Sequence, residues 1–325
     1  ALTPDLQVYL VGQYRYTMRE YSWEVIEGGG DPGEPAIVAA QRELKEEAGL
    51  EAEMWEPLSG PVHLSNGYSS EVGHLFLATG LREVGAEPEA TEDLHLIKIP
   101  FGEALARVLS GEIKDGMSIM SLLLLERRLR AEGRMPSIDY DAAKTPLPVH
   151  PDPWTFLSTA PKYQNAWIRV EEHQVLRPDG NPGIYGVVAA GPNTNIVAQR
   201  EDGRILFVGQ HRYTTNFDSW ELVGGGGKEG DDPLAVGQRE LLEEAGLSAT
   251  EWTPLSLDIQ LTNCHATDRA YLYLARELSQ CKPSPDPTEV LELRWITLEE
   301  ALSMVLRNEI RDSLTIIAVL LLARH

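Results

Sequence analysis

Between Gly28 and Leu50 the chain reads GGGDPGEPAIVAAQRELKEEAGL, with Glu43, Glu46 and Glu47 gathered behind a glycine-rich loop. On a helix Glu43 and Glu47 lie one turn apart, and Glu46 is three residues from Glu43. Arg42, four residues before Glu46, is placed to pair with it. Carboxylates this close repel one another unless a cation neutralises them. An all-oxygen donor set suits Mg²⁺, Mn²⁺ or Ca²⁺ better than zinc. Taken alone, the run also reads as a solvated acidic helix face. The helix that must carry these glutamates has its own signals. Pro35 suits a first turn, with Glu34 or Asp31 as the cap. Ile37, Ala40, Leu44 and Ala48 form an apolar stripe at spacings of three and four. Gly49 supplies the left-handed residue that ends the helix.

The same text occurs twice. Val11-Gly-Gln-Tyr-Arg-Tyr16 recurs as Val208-Gly-Gln-His-Arg-Tyr213, an offset of 197 residues. Without a gap, that offset carries Ser22-Trp-Glu24 onto Ser219-Trp-Glu221, Arg42-Glu-Leu44 onto Arg239-Glu-Leu241, and Asp115 onto Asp312. A unit this long is a duplicated domain rather than a solenoid repeat. Between the copies, Pro136, Pro146, Pro148, Pro151, Pro153 and Pro161 mark an extended, semi-rigid linker and the start of the second copy. There Ala166–Val170 and Gln174–Leu176 alternate like strands, with a turn at Pro178-Asp-Gly180, and Gly186–Ala190 and Ile205–Val208 follow. The first copy has almost none of this and reads as short at its beginning, through loss of a segment or because it never carried one. In each copy strands lead to the glycine loop and helix, then to strands near 61–64, 73–79 and 94–99 and helices near 101–110 and 116–130. That order gives a mixed α/β sheet packed between helices.

Composition narrows the function. With 28 Lys+Arg against 50 Asp+Glu, the net charge of −22 makes a nucleic-acid polymer or an anionic membrane surface an unsuitable partner. The longest apolar stretch, Leu314–Ala323, is about half of what a membrane-spanning helix needs. Two cysteines, Cys264 and Cys281, make no disulfide framework, so a reducing cytoplasm is the expected compartment.

The pattern G-x5-E-x7-R-E-L-x-E-E-x-G-L fixes nine positions, roughly a one-in-a-billion match at average residue frequencies. It resembles the signature of the Nudix hydrolases. The first copy matches throughout; the second departs once, with Asp231 where the first has Glu34. The resemblance implies two tandem α/β/α sandwich domains with mixed sheets. Residues 1–134 form the first, short of its N-terminal strands; 135–152 form the linker; 153–325 form the second, with a complete N-terminal section. It also implies Mg²⁺-dependent hydrolysis of a nucleoside diphosphate linked to another group, with Mn²⁺ as an alternative metal.

By that resemblance Glu43 and Glu47 are side-chain metal ligands, Glu46 completes the cluster or pairs with Arg42, and Glu27 adds its backbone carbonyl. Glu240, Glu244, Glu243 and the carbonyl of Gly224 are the second-copy equivalents. Gly28, Glu34 and Arg42, with Gly225, Asp231 and Arg239, support the loop and helix. A further carboxylate is expected as ligand or general base. Glu92 and Glu289, related by the repeat, are the candidates, with Glu89 and Asp286 behind them. Outside the signature, the Val-Gly-Gln-Tyr-Arg-Tyr strand, Ser-Trp-Glu and Gly111–Asp115 resemble the ADP-ribose and nucleotide-sugar pyrophosphatase branch. Arg15 and Arg212 would then face the diphosphate, and Trp23, Glu24, Trp220 and Glu221 would line the nucleotide pocket. The tryptophans read equally well as core. The following loops, Ser65-Asn-Gly67 and Thr262-Asn-Cys264, lack that branch's Ser-Pro-Gly, so ADP-ribose leads while GDP-mannose, other nucleotide sugars and dinucleotides stay open. Members of this branch are homodimers that exchange N-terminal strands. The two copies are therefore expected to pack as an intramolecular pseudo-twofold pair, with residues 154–176 completing the first copy's site and further homo-oligomerisation open. The alternatives are a nucleotide-sugar sensor with weak catalysis, or a second copy acting mainly as a structural partner.

Overall fold

A computed structural model describes residues 1–85, 93–282 and 291–324. The first copy runs β1 (Gln7–Arg15), β2 (Glu20–Glu24), α1 (Ala36–Ala48), β3 (Leu50–Pro57), β4 (Val62–His63), β5 (Val72–Gly73), β6 (Phe76–Glu83), β7 (His95–Pro100), α2 (Phe101–Ser110) and α3 (Gly116–Ala131). A three-stranded antiparallel sheet follows, of β8 (Thr155–Gln164), β9 (Ile168–Leu176) and β10 (Pro182–Ala190). The second copy continues with β11 (Asn193–Ala198), β12 (Ile205–Arg212), β13 (Phe217–Gly226), α4 (Pro233–Ala245), β14 (Leu247–Gln260), β15 (Arg269–Gln280), β16 (Glu292–Ile296), α5 (Leu298–Leu306) and α6 (Ser313–Leu322). The result is the mixed α/β architecture expected. Helix α1 ends where Gly49 adopts φ 62°, as its sequence requires. Its start differs from expectation. Pro35 itself is the cap residue and no side chain caps it, whereas Asp232 caps α4 by accepting from Ala235 N.

Two strand readings need correction. Ile168–Val170 and Gln174–Leu176 belong to one strand, β9, with Ala166 and Trp167 in the bend before it, and the Pro178–Gly180 turn leads onward to β10. Strand β8 also lies within the proline-rich text. It occupies a sheet edge, and its register against β9 shifts between Pro161 and Tyr163, the kind of irregularity where a sheet tolerates proline. The proline-rich linker is not a free spacer. Trp23 Nε1 donates to Pro148 O at 2.8 Å, and Leu147 N to Glu112 Oε1 at 2.7 Å. The Arg107 guanidinium reaches Thr145 O and Ala142 O.

The copies share one core. Helices α3 and α6 pack together, and Leu123, Leu124, Ile316 and Leu320 fall in the same buried cluster. Helix α6 is buried from Ser313 through Leu320, as suits a helix with protein on all sides. Polar contacts across the junction come in reciprocal pairs at the repeat offset. Asn263 Nδ2 donates to Glu24 Oε1 at 2.8 Å, and Asn66 Nδ2 to Glu221 Oε1 at 2.9 Å. Gln260 N donates to Lys114 O at 2.9 Å, and His63 N to Arg311 O at 2.7 Å. The Thr17 hydroxyl donates to Asn263 O, and the Thr214 hydroxyl to Asn66 O. Residue i meeting j while j meets i is the mark of a self-complementary interface. The β8–β10 sheet breaks this symmetry. Tyr16 packs against Trp154 and Tyr185 and bonds His173 Nδ1 at 2.9 Å, leaving it 9% exposed. Its counterpart Tyr213 has no such cover and is 93% exposed. Among the described residues no helix is long and apolar enough to cross a membrane.

Candidate active site

Strand pairing brings the glycine loop under α1. Glu47 Oε2 accepts from Glu27 N at 3.3 Å, and Glu244 Oε2 from Gly224 N at 3.1 Å, so one tie fixes the loop in both copies. Glu43 lies against the backbone of Gly28, where an added Cβ would fall 2.0–2.4 Å from its carboxyl group. Glu240 sits likewise against Gly225. Arg42 Nη1 binds Glu43 at 2.7 Å and Glu46 at 3.0 Å, while its Nη2 reaches Gly29 O at 2.8 Å and Glu34 at 3.2 Å. Arg239 repeats this with Glu240, Glu243 and Gly226 O. The shorter Asp231 accepts from Lys228 N at 2.7 Å. Among the described residues no ion pair joins Asp231 to Arg239, whereas Glu34 reaches Arg42. The motif glutamates, the motif arginine (Arg42 or Arg239) and a loop carbonyl (Gly29 O or Gly226 O) thus converge in each copy.

The packing of Gly28 gives a sharp prediction. In a Glu244→Gln background, Gly28→Ala should displace Glu43 and lower first-site turnover about tenfold or more. Gly29→Ala, whose Cβ meets nothing within 4 Å, should leave turnover within about twofold. Steady-state rates on the two variants check this.

A second group of acids lies beside the loop. Glu24 on β2, Glu27 after it and Asp115 at the start of α3 bring carboxylate oxygens within 4.8 Å of one another. Arg15, at the end of β1, donates from Nε to Glu24 at 3.0 Å and from Nη2 to Glu27 at 3.0 Å. Three carboxylates share one guanidinium, and Glu27 Oε2 is buried with no hydrogen-bond partner. Burial first, and then the neighbouring Glu24, pushes the Asp115 carboxyl up to about 7. Burial, with the charges of Asp115 and Glu24, raises that of Glu27 well above its ordinary value. This corner demands protons or a cation, so the donor set fits a hard divalent ion. In the second copy Arg212 pairs with Glu221, and burial raises Asp312 to about 7, but Gly224 replaces Glu27. That corner carries one carboxylate fewer.

Asp115 and Asp312 also cap α3 and α6, accepting from Ser118 N at 2.6 Å and Thr315 N at 2.8 Å. Their raised values mean that the fold holds protons which the unfolded chain, with Asp near 3.8, has already released. From roughly pH 4 to 7 these groups make the metal-free protein less stable as pH rises. Asp115→Asn keeps a capping side chain but cannot ionise. In chelator, its melting temperature should fall less steeply between pH 5 and 7.5 than that of the unaltered chain. Equal slopes would show that Asp115 does not titrate this way.

The remaining sequence candidates are distributed differently. Trp23 and Glu24 point to opposite faces of β2, as neighbours on a strand must. Trp23 is 4% exposed with its N–H given to Pro148, so it lies in the core and away from the acid corner. Trp220 covers Gly209 and lies beneath Arg294. Arg15 and Arg212 are bound to Glu24 and Glu221 rather than pointing freely outward. Glu92, Glu289, Glu89 and Asp286 lie outside the described residues. The sequence reading missed Asn66 and Asn263 as groups that reach the opposite copy's acid corner. Their repetition at the same offset was the available signal.

The fold and the two glutamate-bearing loop–helix units define an α/β protein whose carboxylate clusters could hold a hard cation. The NUDIX domain family matches residues 2–111 and 189–315, and the chain belongs to that family. The family described as the nucleoside diphosphate sugar hydrolase N-terminal domain matches residues 154–188. An ADP-ribose pyrophosphatase of Mycobacterium tuberculosis is 40% identical over 127 residues, 38% of this chain and 60% of its own. A methanol dehydrogenase activator of Bacillus methanolicus is 32% identical over 39% of this chain and 69% of its own. An ADP-ribose pyrophosphatase of Bacillus subtilis is 29% identical over 44% and 77%. The match thus spans 60% of the length of the first of these relatives.

Proposed function

We propose that the chain is a Mg²⁺-dependent pyrophosphatase of nucleoside diphosphate derivatives, with ADP-ribose the leading substrate and nucleotide sugars next. One observation carries this reading. In both copies a glutamate pair is locked to the glycine loop, Glu43 and Glu47 in the first and Glu240 and Glu244 in the second. The relatives named ADP-ribose pyrophosphatase support the choice of substrate. The product would be a nucleoside monophosphate and a phosphorylated remainder.

Glu43, Glu47 and the Glu27 carbonyl would hold the metal in the first copy; Glu240, Glu244 and the Gly224 carbonyl would hold it in the second. A bound Mg²⁺, or Mn²⁺ in its place, supplies charge neutralisation to the diphosphate and acidity to a water. The chain's own residues do the rest. Arg42 and Arg239 keep the ligand glutamates turned toward the loop, and Glu46 and Glu243 hold those arginines in place. Arg15 and Arg212 orient Glu24 and Glu221, and Asn263 and Asn66 secure the same carboxylates from the opposite copy. Glu92 and Glu289 remain the proposed bases for the attacking water, which adds to one phosphorus as the bond to the bridging oxygen breaks. The reciprocal contacts let one chain supply what a dimer would.

A second reading has the second copy acting mainly as a partner for the first. The unreached Arg239 at Asp231 and the bare Tyr213 favour it. A panel of ADP-ribose, nucleotide sugars, dinucleotides and oxidised deoxynucleotides with Mg²⁺ tests the main proposal. ADP-ribose should be turned over fastest; hydrolysis of none of them would overturn it.

A further inference from the structure

Where the copies join, two facing loops differ in the side chains they bring. Cys264 and His265 come from the turn after β14 and Glu71 from the residue ahead of β5, and one donor atom from each lies within 4.8 Å of the others. Cys264 Sγ and His265 Nδ1 are 3.2 Å apart, and His265 Nε2 stands 3.9 Å from Glu71 Oε2. That Glu71 oxygen is buried and has no hydrogen-bond partner. The backbone that carries the group is fixed from several sides. Tyr185 donates from its hydroxyl to Cys264 O at 2.6 Å, Val188 N to His265 O at 2.8 Å, and Glu71 N to Ser69 Oγ at 3.1 Å. Tyr68 Oη and Thr262 Oγ1, 3.3 Å apart, join the two loops directly. The repeat offset carries Cys264-His265 onto Gly67-Tyr68 and Glu71 onto Asp268. Asp268 is spent on the hydroxyls of Ser65 and Thr262, at 3.0 and 2.9 Å. The mirror position therefore offers neither thiol nor imidazole.

We propose that Glu71, Cys264 and His265 form a site for a borderline-soft divalent ion, Zn²⁺ by its chemistry, held between the two copies. A thiolate, an imidazole and a carboxylate are donors for such an ion, whereas Mg²⁺ and Mn²⁺ prefer oxygen sets like those on α1 and α4. Cys264 binds through sulfur after its proton passes to solvent. Zn²⁺ bonds of about 2.0–2.3 Å place tetrahedral donors roughly 3.3–3.8 Å apart. The sulfur–imidazole contact is near that spacing, and a small closure of Glu71 completes three ligands. A fourth position is left for water. The Cys264 side chain is exposed, which gives the ion a path of entry. Asn263, next to Cys264, holds Glu24 of the first acid corner, so the bound ion braces the loop that supports that corner. The site uses none of the residues assigned to hydrolysis and stands apart from the reaction proposed above.

The test titrates the full chain with Co²⁺, a coloured stand-in for Zn²⁺, with excess Mg²⁺ to fill the oxygen sites and the thiols kept reduced. One equivalent should bind and give a thiolate-to-cobalt charge-transfer band, and one equivalent of Zn²⁺ should remove that band. Cys264→Ser should abolish it, while Cys281→Ser, which alters the other cysteine, should leave it. Glu71→Gln and His265→Asn should each weaken Co²⁺ binding by at least about tenfold. No thiolate band in the unaltered chain would overturn the proposal. So would a band that survives Cys264→Ser, or a Co²⁺ affinity that neither Glu71→Gln nor His265→Asn changes.

Discussion

Glu47→Gln is expected to abolish turnover at the first site and Glu244→Gln at the second, each by at least about 100-fold. The amide keeps the size of the side chain and can still meet the loop, but it lacks the charge that a divalent cation requires. Each glutamate ties α1 or α4 to its own loop, through Glu27 N or Gly224 N, so fold damage is a fair concern. Unchanged melting temperatures in chelator would separate a charge effect from a packing effect. With both sites working, each single variant retains part of the rate and the double variant retains almost none. If the second copy is mainly structural, Glu47→Gln alone silences the protein and Glu244→Gln does nothing. Full activity in the double variant would remove these residues from the mechanism.

The largest stability effect is expected at Arg107. It is 3% exposed, binds Glu103 at 2.6 Å and Glu112 at 2.5 Å, and reaches two linker carbonyls. Truncation to Ala leaves two half-buried carboxylates facing one another and releases the linker that covers Trp23. Breaking a buried pair from one side costs about 3–5 kcal/mol. In a domain of this size, that is a fall of roughly 10 °C in melting temperature. The second copy has Met304 at the equivalent place, buried in the core with no linker to hold. Arg107→Met should therefore be milder than Arg107→Ala, while both should speed proteolysis within residues 135–152. A melting temperature unchanged by Arg107→Ala would show that the cluster contributes nothing net.

Much of the site was legible because its signals are local and occur twice. Glu43, Glu46, Glu47 and Arg42 could be placed on one helix from spacing alone, and Gly49 marked its end. The carboxylate corner was harder to see. Glu24, Glu27 and Asp115 come from three separated segments, and only strand pairing and the α3 cap bring them together. Trp23 shows the opposite limit. Its neighbour Glu24 faces the corner, but the strand's alternation sends the indole into the core, where a linker carbonyl meets it. Proline content read as a spacer because composition reports what a segment lacks in its own backbone bonding. It does not report what a nearby arginine or tryptophan will bind.

The most direct test of the central claim is product analysis of ADP-ribose treated with the intact chain and Mg²⁺ in ¹⁸O-labelled water. The account predicts AMP and ribose 5-phosphate in equal amounts, with one labelled oxygen shared between them. It also predicts that both are lost in the Glu47→Gln, Glu244→Gln double variant. ADP-ribose that binds the chain and is recovered uncleaved would contradict it.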